Sequence, residues 1–114
     1  MRRGEVWLVD MEPAVGDEIR KIRPAIIVSD DHIGTLALKA VVPFTDWKDR
    51  YTAASWMVQV EANAANGLRK LSAADAFQVR SLAKERFIKR LGKLSDEMMH
   101  EITDALAIVL RIGP

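Results

Sequence analysis

Short apolar runs separated by polar turns fill most of this chain, and only the final stretch carries a helical period. Residues 4–10 (Gly-Glu-Val-Trp-Leu-Val-Asp) read as a strand rich in Val and Trp that starts after a glycine and ends before Pro13. A polar loop follows. Residues 24–29 form a second strand, whose nearly continuous apolar character predicts burial on both faces. Asp30 to Gly34 is a turn, and Leu36 to Phe44 a third strand with Pro43 marking its fraying end. A second polar loop, Thr45 to Thr52, holds Trp47 and Tyr51 among charges. Trp56 to Glu61 alternates as a half-buried strand does, and Asn66-Gly67 is a hairpin signal inside a turn spanning 63–67. The stretch Leu71 to Leu82 fits either a helix, through its alanines, or strands on either side of a bend, with Ala74, Ala76 and Phe77 packed inward. Lys84 to Phe87 resembles one helical turn and Ile88 to Leu91 a short strand. Ser95 to Leu110 is the clear helix. Ser95 suits its cap, Asp96 and Glu97 its positive end, and Met98, Ile102, Ala105, Leu106 and Val109 one core face, with Gly113 as a stop. The outline is a mainly β (α+β) sheet or barrel covered by one C-terminal helix, in a single domain over 1–114.

Composition adds little to that outline but narrows the chemistry. The 114 residues are 49% hydrophobic, enough for a real core, and 29% charged. The chain has no cysteine, and His32 and His100 stand apart without metal-ligand spacing, so a metal-free protein of a reducing compartment, the cytoplasm, is expected. The N-terminus does not read as a signal peptide, and no apolar run approaches the ~20 residues needed to span a bilayer. The net charge of +1 hides an asymmetry: residues 69–93 hold eight basic and two acidic side chains, +6, which leaves −5 for the rest. Such a segment can supply a phosphate footprint. It can equally be a solvated face balanced in space by the acidic stretches.

One stretch organises the candidate chemistry. Gly16-Asp17-Glu18-Ile19-Arg20-Lys21-Ile22-Arg23-Pro24 is a charged loop that stops at a proline and becomes the buried second strand. Gly16 permits a tight turn. Pro24 pushes Arg23 toward an extended conformation, where a loop meets a rigid scaffold. Glu18 can be its acidic partner in an ordinary surface ion pair or in a site. If the second and third strands pair antiparallel, Arg23 before the one and Thr45 after the other emerge at the same edge of the sheet. An arginine, a carboxylate and a hydroxyl around one point suit phosphoryl chemistry without a metal, because they stabilise a pentavalent phosphorane and move protons. RNA supplies its own nucleophile, the 2′-hydroxyl. Trp47 and Tyr51 can stack on unpaired bases, or be half-buried under their loop.

The order and spacing of several short motifs are similar to those of the MazF/PemK family of toxin endoribonucleases. They are Gly4-Glu5-Val6-Trp7, the Gly16-Asp17-Glu18 to Arg23-Pro24 loop running into Ala-Ile-Ile-Val-Ser, the Val-Pro-Phe-Thr45 strand end, Phe77-Gln78-Val79-Arg80-Ser81-Leu82, and Leu94-Ser95-Asp96-Glu97-Met98-Met99. The resemblance runs nearly end to end. It implies a small SH3-like β-barrel with a C-terminal helix, working as a homodimer without a cofactor or metal. The implied activity is cleavage of single-stranded RNA at short sequences, inhibited by a cognate antitoxin protein. By that resemblance Arg23, Thr45 and Glu18 are catalytic, Lys21, Trp47, Lys48 and Arg80 bind RNA, and Leu71 to Leu82 is strand with Gln78 to Leu82 near the dimer seam. Asp17 and Asp46 stand where the family often has serine, and two carboxylates near a phosphate site repel substrate unless they point away. Arginine is a poor general base, so Arg23 is expected to stabilise the phosphorane or donate protons, with Glu18 positioning it or accepting the 2′-hydroxyl proton. Two rivals remain: a gyrase poison of the same fold, which the absence of tryptophan from the last residues argues against, and a non-catalytic SH3-like binding module.

Overall fold

Seven antiparallel strands and one long helix account for the chain in the computed structural model, which describes residues 1–33 and 37–113. The strands are β1 (Glu5–Asp10), β2 (Ile22–Ile27), β3 (Leu38–Asp46), β4 (Met57–Val60), β5 (Ser72–Asp75), β6 (Arg80–Ala83) and β7 (Phe87–Lys93), followed by α1 (Asp96–Leu110). Their order in the sheet is β4-β5-β3-β2-β1-β7, with β6 also on β3. The ladder does not join β4 to β7, so the barrel expected from the sequence is a curled sheet whose two ends stay unpaired among the described residues. The end of the expected first turn and the start of the expected third strand, Gly34 and Leu36, lie outside the described residues.

The apolar run in β2 is buried on both faces, as its pattern predicts. Ile26 joins Val6, Val42, Phe44, Val60 and the helix residues Met99, Ile102 and Ala105 on one face. Ala25 and Ile27 join Val9, Met11, Val41 and Leu82 on the other, with Trp7 and Phe87 closing the edge. Burial of a side chain such as Ile102, fully enclosed, contributes about 1.5–3 kcal/mol to docking the helix. Ser95 Oγ accepts the Met98 N–H at 3.2 Å and caps that helix. The buried stripe includes Met99, while Met98, Leu106 and Val109 are only partly covered. At the other end Arg111, not Gly113, takes the left-handed cap position (φ 56°), and the Ile112 N–H closes on the Ala107 carbonyl at 2.8 Å.

Three differences from the sequence expectations matter for the site. First, Pro43 does not fray β3: it is buried, and the strand runs on to Asp46. The Val28 N–H donates to the Ala40 carbonyl, so by alternation residues 41, 43 and 45 aim their backbone groups at the opposite edge of β3. There β5 and β6 together form one interrupted partner. Phe44 faces Ala74 and Val41 faces Arg80, so three steps of β3 oppose six of its neighbour. The excess is extruded as a 3-10 turn, Ala76–Gln78, and the missing N–H of Pro43 falls at that gap, where it costs no ladder bond. Second, the stretch 71–82 is therefore two strands and a bend, with Ala74 and Ala76 inward but Phe77 69% exposed. Third, Asn66-Gly67 does not make a two-residue hairpin. The hairpin of β4 and β5 closes through a long connection, residues 61–71, in which Asn66 is buried and its Oδ1 accepts the Asn63 and Leu68 N–H groups at 3.1 and 2.9 Å.

Candidate active site

The cleft that holds the candidate chemistry opens because a ladder ends. β2 and β3 pair through Ile27↔Val41, Ile26↔Val42 and Ala25↔Pro43, and toward Pro24 the pairing goes no further. The next residue of β2 is Pro24, which has no N–H to give to β3. Beyond it the strands continue on other partners: Arg23 faces Val9 of β1, and Thr45 faces Ala73 of β5. Arg23 and Thr45 thus stand on the two lips of a split, as the antiparallel pairing predicts. The split is the mouth of a cleft of about 470 Å³. Its apolar floor includes Leu8, Pro24, Phe44, Leu68 and Leu91.

The rim of the cleft is cationic. Lys21, Arg23, Arg69, Lys70 and Lys89 line it, against one carboxylate, Asp46. The Asp46 Oδ1 accepts from Lys70 Nζ at 2.9 Å, so the carboxylate that the sequence marks as repulsive is matched by its own cation. Arg69, Lys70 and Lys89 come from the basic segment 69–93. Their charge was visible in the sequence, but not their convergence on Arg23. Lys21 sits at the end of the loop in a left-handed conformation (φ 66°), held by its N–H to Glu12 Oε1 at 3.1 Å and its carbonyl to the Met11 N–H at 2.9 Å. Arg23 is half-buried, and its Nε donates only weakly, to the Arg20 carbonyl at 3.4 Å. Its guanidinium therefore retains donors for an anion.

The other nominated residues are not on this cleft. Glu18 lines a second depression with Met11, Val15, Ile19, Phe77 and Arg80. Its Oε1 accepts the Val15 N–H at 2.6 Å, and no Glu18–Arg23 ion pair forms among the described residues. Gly16 takes φ 59° as expected, ahead of Glu18, while the left-handed Lys21 (φ 66°) turns the chain between Glu18 and Arg23, which line two different surfaces. Asp17 lies in that second depression too, away from the cationic rim. Arg80 donates to the Met11 carbonyl at 3.4 Å. Trp47 and Lys48 follow Thr45 out of β3. The Trp47 ring meets Tyr51 edge-on at 5.8 Å and is half-buried, while Lys48 is exposed. His32 and His100 are exposed. No group of three or more His, Cys, Asp or Glu side chains among the described residues could hold a metal ion, and no helix there is long and apolar enough to cross a membrane.

Two carboxyls near the sheet titrate in opposite directions. Burial pushes Asp75 up, against the Phe77 N–H that its Oδ1 accepts at 3.1 Å. Burial also disfavours the Glu5 anion, but the Trp7 indole N–H at 2.8 Å and the cations around it outweigh that and hold the carboxyl below its usual range.

A family model described as "PemK-like, MazF-like toxin of type II toxin-antitoxin system" matches residues 2–110. A curated relative from Mycobacterium tuberculosis, named "Endoribonuclease MazF9", is 36% identical over 96% of each chain. Among solved structures, a MazF from Deinococcus radiodurans superposes with a TM-score of 0.81 at 21% identity, covering 98% of this chain and 97% of that one. An endoribonuclease from a mycobacterial species, solved in complex with its cognate antitoxin, superposes with a TM-score of 0.75 at 21% identity, covering 100% and 98%.

Proposed function

The chain belongs to the PemK-like, MazF-like toxins of type II toxin–antitoxin systems, and from that membership together with the cleft we propose that it is an endoribonuclease that cuts single-stranded RNA without a metal ion. The observation that carries the reading is the meeting of Arg23 and Thr45, from two different strands, on one cationic cleft. The 2′-hydroxyl of the nucleotide before the cut gives up its proton to solvent and attacks its own 3′-phosphorus. The P–O5′ bond breaks, the 5′-oxygen takes up a proton, and the products carry a 2′,3′-cyclic phosphate and a 5′-hydroxyl. Arg23 neutralises the charge that builds on the phosphorane, where fixed donors contribute most, and Thr45 adds a hydrogen bond. Lys21, Arg69 and Lys89 hold flanking phosphates. The half-buried Trp47, beside Thr45, offers an edge for a base, with Lys48 next to it. Arg80 steadies the loop from behind, and Glu18 acts on the loop's shape rather than on the phosphate.

The working unit in this reading is a homodimer whose seam runs near Gln78 to Leu82, and the regulator is a cognate antitoxin with an extended acidic segment complementary to the cationic rim. A single domain over 1–114 located in the cytoplasm completes it. The test is cleavage of a long mixed-sequence RNA in excess EDTA, with product ends mapped. Cuts at a short recurring sequence with cyclic-phosphate ends, abolished by a single 2′-deoxy substitution at the cut, are expected. Intact RNA after incubation with folded, antitoxin-free protein would favour the binding-module reading instead.

A further inference from the structure

The extruded turn between β5 and β6 does a job that the endoribonuclease reading leaves unassigned. Extra residues in one strand re-aim side chains, and here they push Gln78 out from the sheet toward the loop that joins β1 to β2. The two ends of its amide are both used. Nε2 donates to the Asp17 carbonyl at 3.1 Å, and Oε1 accepts the Ile19 N–H. Rotating the amide by half a turn would set donor against donor and acceptor against acceptor, so the network fixes its orientation. The turn is itself anchored by buried Asp75, whose carboxylate caps it at the Phe77 N–H.

The rest of the loop shows why this matters. Its base is closed by Met11 and Lys21, by Glu12 and by the Arg86 guanidinium on the Glu12 carbonyl. Its tip, residues 15–19, bonds mainly to itself, through Val15 and Glu18. Among the described residues the two bonds from Gln78 are the tip's only hydrogen bonds to the remainder of the protein. The same loop ends in Lys21 and Arg23, one wall of the cleft.

We infer that Gln78 is a positioning residue: its amide clamps the backbone of Asp17 and Ile19 to the β5–β6 turn and so sets the Lys21–Arg23 wall for reaction, a role that rests on the endoribonuclease reading. Arg69 and Lys89, which also hold RNA in that reading, sit outside the loop, so loosening the clamp affects the chemical step more than binding.

The experiment measures Gln78→Met, which keeps length and loses both bonds, and Gln78→Glu, which keeps an acceptor for Ile19 but sets a carboxylate against the Asp17 carbonyl. Amide exchange at Ile19 is followed by NMR, RNA cleavage gives kcat and KM, and sedimentation gives the oligomeric state. In Gln78→Met the Ile19 amide is expected to exchange at least about tenfold faster. Its kcat should fall about tenfold, with KM within about twofold and the oligomeric state unchanged. Gln78→Glu should retain more Ile19 protection than Gln78→Met, so it still decides the matter if the methionine variant folds poorly. Unchanged Ile19 protection overturns the clamp. Lost protection with unchanged kcat, or a kcat loss that follows a change in oligomeric state, overturns the positioning role. If wild type cuts no RNA, the endoribonuclease reading fails, while the exchange result still decides the clamp.

Discussion

Gly92→Ala tests the packing that places the far wall of the cleft. A Cβ at this position would lie 2.2 Å from the Ala65 carbonyl oxygen and 2.5 and 2.8 Å from the Asn66 carbonyl carbon and Cα. All of these are backbone atoms, so nothing nearby can yield by turning a side chain. Either β7 or the turn over 63–67 must move. Overpacking of this kind costs about 1–3 kcal/mol. The Lys93 N–H, which donates to the Ala65 carbonyl at 2.8 Å, is strained by the same shift, and its loss adds about 1 kcal/mol. Replacing a strand glycine by alanine returns about 0.5–1 kcal/mol of chain entropy. The net is a loss of about 1–3.5 kcal/mol, a fall of roughly 0.5–2 M in the urea midpoint for ordinary slopes. Urea unfolding at one fixed protein concentration measures it. Gly16→Ala is the contrast: nothing lies within 4 Å of its Cβ, and only its φ of 59° resists, at about 1 kcal/mol. A loss below about 0.5 kcal/mol for Gly92→Ala, or a larger loss for Gly16→Ala, would refute the packing argument, because the two variants differ in clash and not in residue type.

Other expectations follow from the cleft and from the raised Asp75 carboxyl. Lys89→Ala and Arg69→Ala should each raise KM for RNA about threefold at moderate salt and flatten its salt dependence by about 0.7 in the logarithmic slope; unchanged slopes would remove them from the RNA path. Asp75, raised by burial, contributes stability that is complete below its unfolded pKa and is lost as pH rises through the folded one. Asp75→Asn should therefore gain on wild type between pH 4 and pH 7 in urea unfolding, and a relative loss over that range would reverse the sign of the argument. An acidic antitoxin segment that covers the cationic rim should compete with a short, uncleavable RNA for the protein, and a ternary complex at full occupancy of both would show separate surfaces.

The strands that carry Arg23 and Thr45 were legible because both are marked by local signals. Pro24 and the apolar run after it set the start of β2, and the end of β3 carries a hydroxyl and charges. Their antiparallel pairing then placed both residues at one edge without further information. Pro43 misled, since its effect depends on which edge of β3 its missing N–H faces, and that follows from the interruption of β5 and β6, a property of the neighbour. Glu18 illustrates a different limit. Five residues separate it from Arg23, but the left-handed Lys21 between them helps send the two side chains to different surfaces, and distance along a loop does not encode that. Arg69, Lys70 and Lys89 could be seen as basic but not as convergent, because the long connection after β4 carries the first two of them back to β2. The helix was read almost completely, since a 3.6-residue period is a property of the segment itself.

The most direct test of the central claim, that the split between β2 and β3 is where RNA is cut, is the single-turnover cleavage rate of Arg23→Ala at saturating protein. A fall of about 10²–10³-fold is expected, with an unfolding midpoint equal to that of wild type. A rate within about threefold of wild type, from protein that folds normally, would contradict it and move the reaction to another part of the surface.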